Sequence, residues 1–189
     1  IEKNSSIKQL LFVGRISRLK QIEVAIDSLV VLKNKNIECI LNIVGPISDL
    51  TYYNELKNLI IQLELIDNVS FIASVKQKQL VSFYQDADVL LLPSKHESFG
   101  MVITEAMACG TPVISLEGSG GPEEIIANGF DGFVIPSQNY SDTVLKLLSD
   151  QSLLKELSKN ALVSVKNKWS QKITAEILLG LINENAFYD

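Results

Sequence analysis

The amino-acid sequence predicts an α/β fold with one parallel sheet and helices on both faces. Short apolar runs of strand length alternate with segments whose apolar residues recur at helical spacing. Such alternation needs a helical crossover between successive strands, which buries a parallel sheet on both sides. The 189 residues, 47% of them hydrophobic, suffice for the core of one domain. We therefore expect a single domain over residues 1–189.

The expected elements follow in chain order. The strands are predicted at 8–13, 37–44, 69–72, 88–92, 113–115 and 132–135. The helices are predicted at 22–33, 49–65, 77–84, 101–109, 122–128, 138–148, 151–166 and 171–184. Asp49 is a plausible N-cap, and Pro122 suits the first position of its helix. The terminal helix, rich in Ile and Leu, is expected to dock on another surface.

Composition excludes several classes of function. A net charge of -5 argues against a broad nucleic-acid-binding surface. Cys39 and Cys109 lie far apart in apolar contexts, which favours buried thiols in a reducing compartment. One histidine and two separated cysteines leave little for a zinc site. No apolar run approaches the ~20 residues that span a bilayer. We expect a cytoplasmic protein, and we interpret the start at Ile1 as that of an excised piece.

Residues 93–112 form the most informative stretch, because a strand, a loop and a helix start make an anion-binding corner. Free backbone N–H groups around Ser98-Phe99-Gly100-Met101 could bind a phosphate oxygen or a sugar hydroxyl. The alternative is a plain N-cap by Ser98, with Phe99 in the core. Glu97 and Glu105 flank the corner. They could accept hydrogen bonds from sugar hydroxyls, act as an acid/base pair, or remain solvated surface charges.

The loop after the first predicted strand carries two cations, Arg15 and Lys20, behind Gly14. Cations on one loop suit a diphosphate, whereas the alternative is a pair of solvated charges. Glycines 118–121 could likewise cradle an anion or form only a flexible loop. His96 could line a pocket or lie on the surface. The Asp-x-Asp sequence at 86–88 could suggest a metal, but it lies at the start of a strand.

Several blocks of the sequence together resemble the group 1 (family 4) retaining glycosyltransferases. Residues 97–105 match the E-x7-E signature, and the resemblance covers nearly everything from 8 to 166. The accompanying blocks are Gly14-Arg15-x4-Lys20, Ala87-Asp88-Val89 with Leu92-Pro93-Ser94, Ala106–Ile114, and Gly121-Pro122-x-Glu124 with Gly129, Gly132, Phe133 and Val134.

The resemblance implies a Rossmann-like domain that is the C-terminal, donor-binding half of a GT-B enzyme. It implies that Arg15 and Lys20 hold the donor's diphosphate, that Glu97 binds the transferred sugar, and that Glu105 binds the ribose. Of these, Arg15, Lys20 and Glu97 are expected to be catalytic. The other expected donor contacts are Gly14, Ser98, Phe99, Gly100, Met101 and Val102.

The resemblance also places the base near Gly45-Pro46 and Val75-Lys76. The sequence departs from the family pattern close to both points. Pro46-Ile47 stands where a second glycine is common, and Ala73-Ser74 stands where one glycine is common. These departures bear on the base contacts more than on the phosphate contacts, and the sequence leaves the base and the sugar open.

The implied function is transfer of a sugar from a nucleoside-diphosphate sugar to a glycan or lipid-linked acceptor, with retention. Two cations and a helix N-terminus would stabilise the leaving diphosphate, so neither metal nor cofactor is expected. The N-terminal acceptor domain would come from outside this chain, so the chain alone is expected to be inactive. It could also connect the protein to the inner face of a membrane.

Two alternatives remain, a non-catalytic nucleotide-sugar-binding module and a GT-B epimerase or phosphorylase. The E-x7-E spacing and the lack of an evident pyridoxal lysine disfavour the second. The missing glycine fingerprint argues against a dinucleotide oxidoreductase.

Overall fold

The computed structural model describes residues 7–169. Residues 1–6 and 170–189, which include the helix expected at 171–184, lie outside the described residues.

Within residues 7–169 the chain forms one six-stranded sheet in which each pair of neighbouring strands is parallel. The strands are β1 (Lys8–Val13), β2 (Cys39–Val44), β3 (Val69–Ile72), β4 (Val89–Leu92), β5 (Val113–Leu116) and β6 (Gly132–Ile135). Their order in the sheet is β3-β2-β1-β4-β5-β6. The α/β, Rossmann-like fold predicted from the sequence is confirmed.

The described helices fall between and after these strands. They are α1 (Ile22–Asn34), α2 (Leu50–Gln62), α3 (Gln77–Asp86), α4 (Met101–Ala108), α5 (Gly121–Ile125), α6 (Tyr140–Ser149) and α7 (Gln151–Lys168). The carboxylate of Asp49 caps α2 by accepting from the Tyr52 amide at 2.9 Å, as the sequence predicted. The helices expected at 138–148 and 151–166 are present as α6 and α7, which gives the helical C-terminal region expected before residue 170.

Two features differ from the prediction for a local reason, the end of α5 and the turn before α1. Helix α5 ends at Ile125 rather than near 128, because the Ala127 amide donates to the Asp131 carboxylate at 2.8 Å. The loop after β1 contains a single 3₁₀ turn, Arg18–Lys20, which the sequence did not indicate. Gln21 then takes the left-handed conformation (φ 46°) and redirects the chain into α1.

The core lies on both faces of the sheet, and the strands β4 and β5 are buried along their whole length. β1 pairs with β2 on one side and with β4 on the other, so the strand order reverses between β1 and β4. At such a reversal the loops beyond the carboxyl ends of the two strands diverge around a crevice. The loop after β1 carries Arg15 and Lys20, and the loop after β4 carries Glu97.

Among residues 7–169, no helix is long and apolar enough to cross a bilayer.

Candidate functional site

The loops that follow β1 and β4 are in direct contact. The Lys95 amide donates to the Leu19 carbonyl at 2.8 Å. One residue further along, the Lys20 ammonium forms an ion pair with the Glu97 carboxylate. The two side chains are only 15% and 11% exposed. The fold therefore joins two sequence-predicted site residues, 77 positions apart, in one partly buried pair.

Within the described residues, only one of the two carboxylate oxygens of Glu97 is hydrogen-bonded. Its Oε1 accepts from Lys20 Nζ and also from the buried Ser94 hydroxyl at 2.7 Å. Its Oε2 has no hydrogen bond to any residue in the described range. A carboxylate oxygen with free lone pairs can accept from a ligand hydroxyl without breaking a contact of the protein.

The backbone of Glu97 is fixed by the loop after β5. Its amide donates to the Ser119 carbonyl at 2.7 Å, and its carbonyl accepts from the Gly121 amide at 2.9 Å. A Cβ atom at Gly120 would lie 2.8 Å from the Glu97 carbonyl oxygen, and one at Gly121 would lie 2.4 Å from that of Phe99. Close packing against the Glu97 loop therefore accounts for these two glycines.

The start of α4 lies next to this pair along the chain. Its N-cap is Gly100 in the left-handed region (φ 82°), with no side-chain cap. The Ile103 amide bonds to the Gly100 carbonyl, whereas the Met101 and Val102 amides precede the first intrahelical bond. Capping by Ser98, the plain alternative, does not occur. These N–H groups and the positive end of the helix dipole can receive an anion.

Phe99 and Met101 lie at the surface rather than in the core. Phe99 is 40% exposed, and its ring meets that of Trp169 edge-on with centroids 5.3 Å apart. Met101 is 66% exposed at the first position of α4. The alternative that Phe99 is a core residue is therefore wrong.

Glu105 lies on the second turn of α4 and is held by α3. Its two carboxylate oxygens accept from the Tyr84 hydroxyl at 2.9 Å and from Gln77 Nε2 at 2.7 Å. Burial, together with the hydrogen bond to Glu105, raises the pKa of Tyr84 above its ordinary value. Sequence reasoning missed Gln77 and Tyr84. Their spacing of seven residues puts them on one helix face, which is the signal that could have identified them.

Arg15 is exposed and makes no hydrogen bond or ion pair with the residues at 7–169. It lines a cavity of about 260 Å³ beyond β1 and β2. The other lining residues are Val13, Gly14, Val44, Gly45, Pro46, Ser74, Val75 and Leu80. Three of the four residues expected near the base thus share this cavity.

The fourth, Lys76, is exposed at the N-cap position of α3 and is not part of the lining, whereas Ser74 and Leu80 were not anticipated. Gly45 is explained by packing, since a Cβ there would lie 2.0 Å from the Gly14 carbonyl oxygen.

Two other candidate residues, His96 and Asp88, make no hydrogen bond to Lys20 or Glu97 among the described residues. His96 is exposed and has no hydrogen-bond partner in the described part of the chain. Asp88 lies at the amino end of β4, where its carboxylate accepts from the Gln9 amide at 2.8 Å. Among the described residues, no group of three His, Cys, Asp or Glu side chains is arranged to hold a metal ion.

The sequence of this chain matches a known protein family and several of its curated members. The family described as "Glycosyl transferases group 1" matches residues 1–163. D-inositol 3-phosphate glycosyltransferase of Pseudarthrobacter chlorophenolicus is 33% identical over 176 residues, which cover 90% of this chain and 41% of that protein. The chain therefore spans about two fifths of the length of this curated relative.

Solved structures resemble the fold closely. The C-terminal domain of a group 1 family glycosyltransferase (LpcC) from Francisella tularensis superposes with a TM-score of 0.80 at 26% identity, over 87% of each chain. The Anabaena protein HepE, solved in complex with UDP and glucose, gives a TM-score of 0.81 at 24% identity. That match covers 94% of this chain and 49% of HepE and is a likeness of fold.

Proposed function

Because the chain belongs to the group 1 glycosyltransferases, we propose that it is the donor-binding half of a two-domain enzyme. That enzyme would transfer a sugar from a nucleoside-diphosphate sugar to a glycan or lipid-linked acceptor, with retention of anomeric configuration. The acceptor site would belong to an N-terminal domain outside this chain. The buried Cys39 thiol fits a cytoplasmic location, at the inner membrane face if that other domain binds there.

One arrangement supports the proposal above all others, the Lys20–Glu97 pair beside the start of α4. It combines a cation for phosphate, a carboxylate for hydroxyl groups, and backbone N–H groups for either. All three lie at the carboxyl end of a parallel sheet, where its strand order reverses. A glycosyl diphosphate carries both phosphate oxygens and sugar hydroxyls, so a site with both kinds of partner matches it.

In this proposal the reaction depends on Arg15, Lys20 and the α4 amides. Breaking the bond between the sugar and the diphosphate leaves new negative charge on the diphosphate and positive charge on the sugar. Two cations and a helix N-terminus fixed beforehand stabilise the leaving group. The same groups supply the charge that a metal ion would otherwise supply, so we propose metal-independent transfer without a cofactor.

The donor's remaining groups would meet the other residues of the cluster. Glu97 Oε2, which has no hydrogen bond in the described range, would accept from a hydroxyl of the transferred sugar. Glu105, oriented by Tyr84 and Gln77, would accept from the ribose. The base would occupy the cavity beside Gly45, Pro46 and Val75, with Lys76 following at the start of α3.

Calorimetry of the chain with UDP, GDP and ADP tests the proposal. We expect one of the three to bind, and Arg15→Ala to weaken that binding about tenfold by removing a charged contact. Lys146→Ala is the matched control, because it removes an equal charge from the exposed side of α6. Absence of binding by all three at millimolar concentration would contradict the proposal. An unchanged affinity in Arg15→Ala would remove Arg15 from the site.

Transfer assays test the division between the two domains. We expect no sugar transfer by the chain alone. Measurable transfer to a simple sugar acceptor would show that the acceptor site lies within these 189 residues.

A further inference from the structure

The turn that carries Lys20 is tied to α2 at both of its ends. Before Lys20, the Arg18 guanidinium pairs with the Glu55 carboxylate at 2.6 Å and lies 3.8 Å from that of Asp49. It also lies over the Tyr52 ring, 5.5 Å from the centroid. After Lys20, the backbone N–H of Ile22 donates to the Tyr52 hydroxyl at 2.7 Å.

The three α2 partners are three residues apart in sequence. Asp49, Tyr52 and Glu55 therefore lie along one side of the helix start, facing the turn. Tyr52 itself is buried, and its hydroxyl also donates to the Glu23 carboxylate. The hydroxyl thus accepts from the first residue of α1 and donates to the second. Because both hydrogen bonds are buried or partly buried, the position of the hydroxyl defines where α1 begins.

The turn needs such an anchor, because it includes a residue in an unfavourable conformation. Gln21, directly after Lys20, has φ 46° and ψ 45°, a region that non-glycine residues rarely adopt. It is the N-cap of α1, and its side chain makes no capping hydrogen bond. A left-handed non-glycine residue persists where surrounding contacts determine it. Here the contacts on either side of it come from Arg18 and Tyr52.

We propose that Tyr52 is a positioning residue for donor binding, since it fixes to α2 the turn from which Lys20 reaches the donor's diphosphate. The inference rests on the proposed function. Tyr52 touches neither Lys20 nor Glu97 through any hydrogen bond in the described range. It acts through the backbone of Ile22. Arg18, whose guanidinium already has carboxylate and aromatic partners, belongs to the same anchor rather than to the diphosphate contacts.

The test compares Tyr52→Phe with Tyr53→Phe in the 189-residue chain. Tyr52→Phe keeps the ring under Arg18 and removes the hydroxyl. Tyr53 is the matched control, because its ring contacts Phe71 and Lys57 rather than Arg18. Calorimetry measures the affinity for whichever of UDP, GDP and ADP binds the unmodified chain, and for the corresponding free nucleoside.

We expect Tyr52→Phe to weaken nucleoside-diphosphate binding about fivefold, because the backbone of the turn loses the hydrogen bond from Ile22 to the Tyr52 hydroxyl. Affinity for the nucleoside should be unchanged, because the nucleoside has no diphosphate to meet Lys20. Tyr53→Phe should change neither. A Tyr52→Phe chain that binds the diphosphate as the unmodified chain does would overturn the inference. Equal losses for the diphosphate and the nucleoside would overturn it too, since they indicate general loosening.

Glu55→Ala provides a second test of the inference if Tyr52→Phe fails to fold. Glu55→Ala removes an exposed partner of Arg18 and leaves the buried hydroxyl in place. Electrostatics alone would strengthen diphosphate binding, because a negative charge is lost. Anchoring predicts the opposite, a loss of about twofold in affinity. Unchanged or tighter binding would contradict the inference. If the unmodified chain binds none of the three nucleotides, the proposed function itself has failed.

Discussion

Glu97, before α4, and Glu105, within it, are eight positions apart, yet the fold gives them different partners. Glu97 precedes the helix and shares Oε1 between a cation, Lys20, and the Ser94 hydroxyl. Glu105 lies within the helix and accepts from two neutral groups on α3, Tyr84 and Gln77. The first environment is charged and made by two loops. The second is neutral and made by two helices.

The difference in partners has a different consequence for ligand binding at each glutamate. Lys20 gives one of its three N–H donors to Glu97, so Glu97 and a bound diphosphate would share the positive charge of one cation and compete for it. Glu97 therefore links recognition of the sugar to recognition of the phosphates. Glu105 faces no such competition, because Tyr84 and Gln77 have no proposed contact with the donor. Its orientation is set before any ligand arrives.

Removal of Lys20 should have the largest effect. In Lys20→Ala the mostly buried Glu97 carboxylate loses its charged partner, which costs about 3 kcal/mol of unfolding free energy when one member of a buried pair is removed. Nucleoside-diphosphate binding should fall below detection, because one of the two proposed phosphate cations is lost and the unpaired Glu97 carboxylate remains beside the diphosphate. Urea denaturation and calorimetry measure the two effects.

The control for this prediction is the double variant Lys20→Ala/Glu97→Ala. It should be more stable than Lys20→Ala alone, since no unpaired carboxylate remains. Glu105→Ala should cost less than Lys20→Ala, because its lost partners are neutral. A Lys20→Ala chain as stable as the unmodified one would show that the pair is not coupled, and the contrast between the two glutamates would fail.

The next effect concerns ligand preference in Glu97→Gln. The substitution keeps the shape and removes the charge that competes for Lys20. A nucleoside diphosphate should then bind as well as before or more tightly. The corresponding nucleoside-diphosphate sugar should lose about tenfold in affinity, because a hydroxyl loses a charged acceptor. Calorimetry with both ligands gives the two changes separately.

Glu105→Gln is the matched substitution within α4. Its proposed partner is the ribose, which the nucleoside diphosphate and its sugar derivative share. Both ligands should weaken by the same factor. If Glu97→Gln weakened both equally and Glu105→Gln affected only the sugar derivative, the assigned roles would be reversed.

The strands and helices could be predicted because the sequence patterns that indicate them are local. Apolar runs gave the strands, and β1, β3 and β6 coincide with their predicted ranges. Helical periodicity and the Asp49 cap gave α1 and α2. The end of α5 was missed because it depends on a hydrogen bond between the Asp131 side chain and the Ala127 amide, which no periodicity reveals.

The site was predictable as a set of residue types but not as a set of contacts. The motif resemblance indicated Lys20 and Glu97 separately, whereas their pairing depends on β1 lying beside β4. Ser94, Tyr84 and Gln77 were missed because each acts on a glutamate rather than on a ligand.

The smallest expected effect lies at Tyr84 and depends on pH. Burial and the hydrogen bond to Glu105 raise the pKa of Tyr84 in the folded chain. Above pH ~10 the unfolded tyrosine releases its proton, whereas the folded one retains it. The folded state then binds more protons than the unfolded state, so stability falls as the pH rises. Tyr84→Phe should cost about 1 kcal/mol at pH 7, and its disadvantage should shrink between pH 9 and 11.

A comparison of two variants tests the origin of that alkaline loss. In Glu105→Gln the hydroxyl stays buried but loses its charged partner, so burial still raises the pKa of Tyr84. Because burial is the largest cause of the shift, the folded tyrosine should keep its proton between pH 9 and 11 with or without Glu105. Urea denaturation at pH 9 and 11 should therefore show similar losses of stability in the unmodified chain and in Glu105→Gln, and a smaller loss in Tyr84→Phe. An equal loss in Tyr84→Phe would mean that the buried hydroxyl does not cause the alkaline loss. A smaller loss in Glu105→Gln than in the unmodified chain would mean that Glu105, rather than burial, sets the pKa of Tyr84.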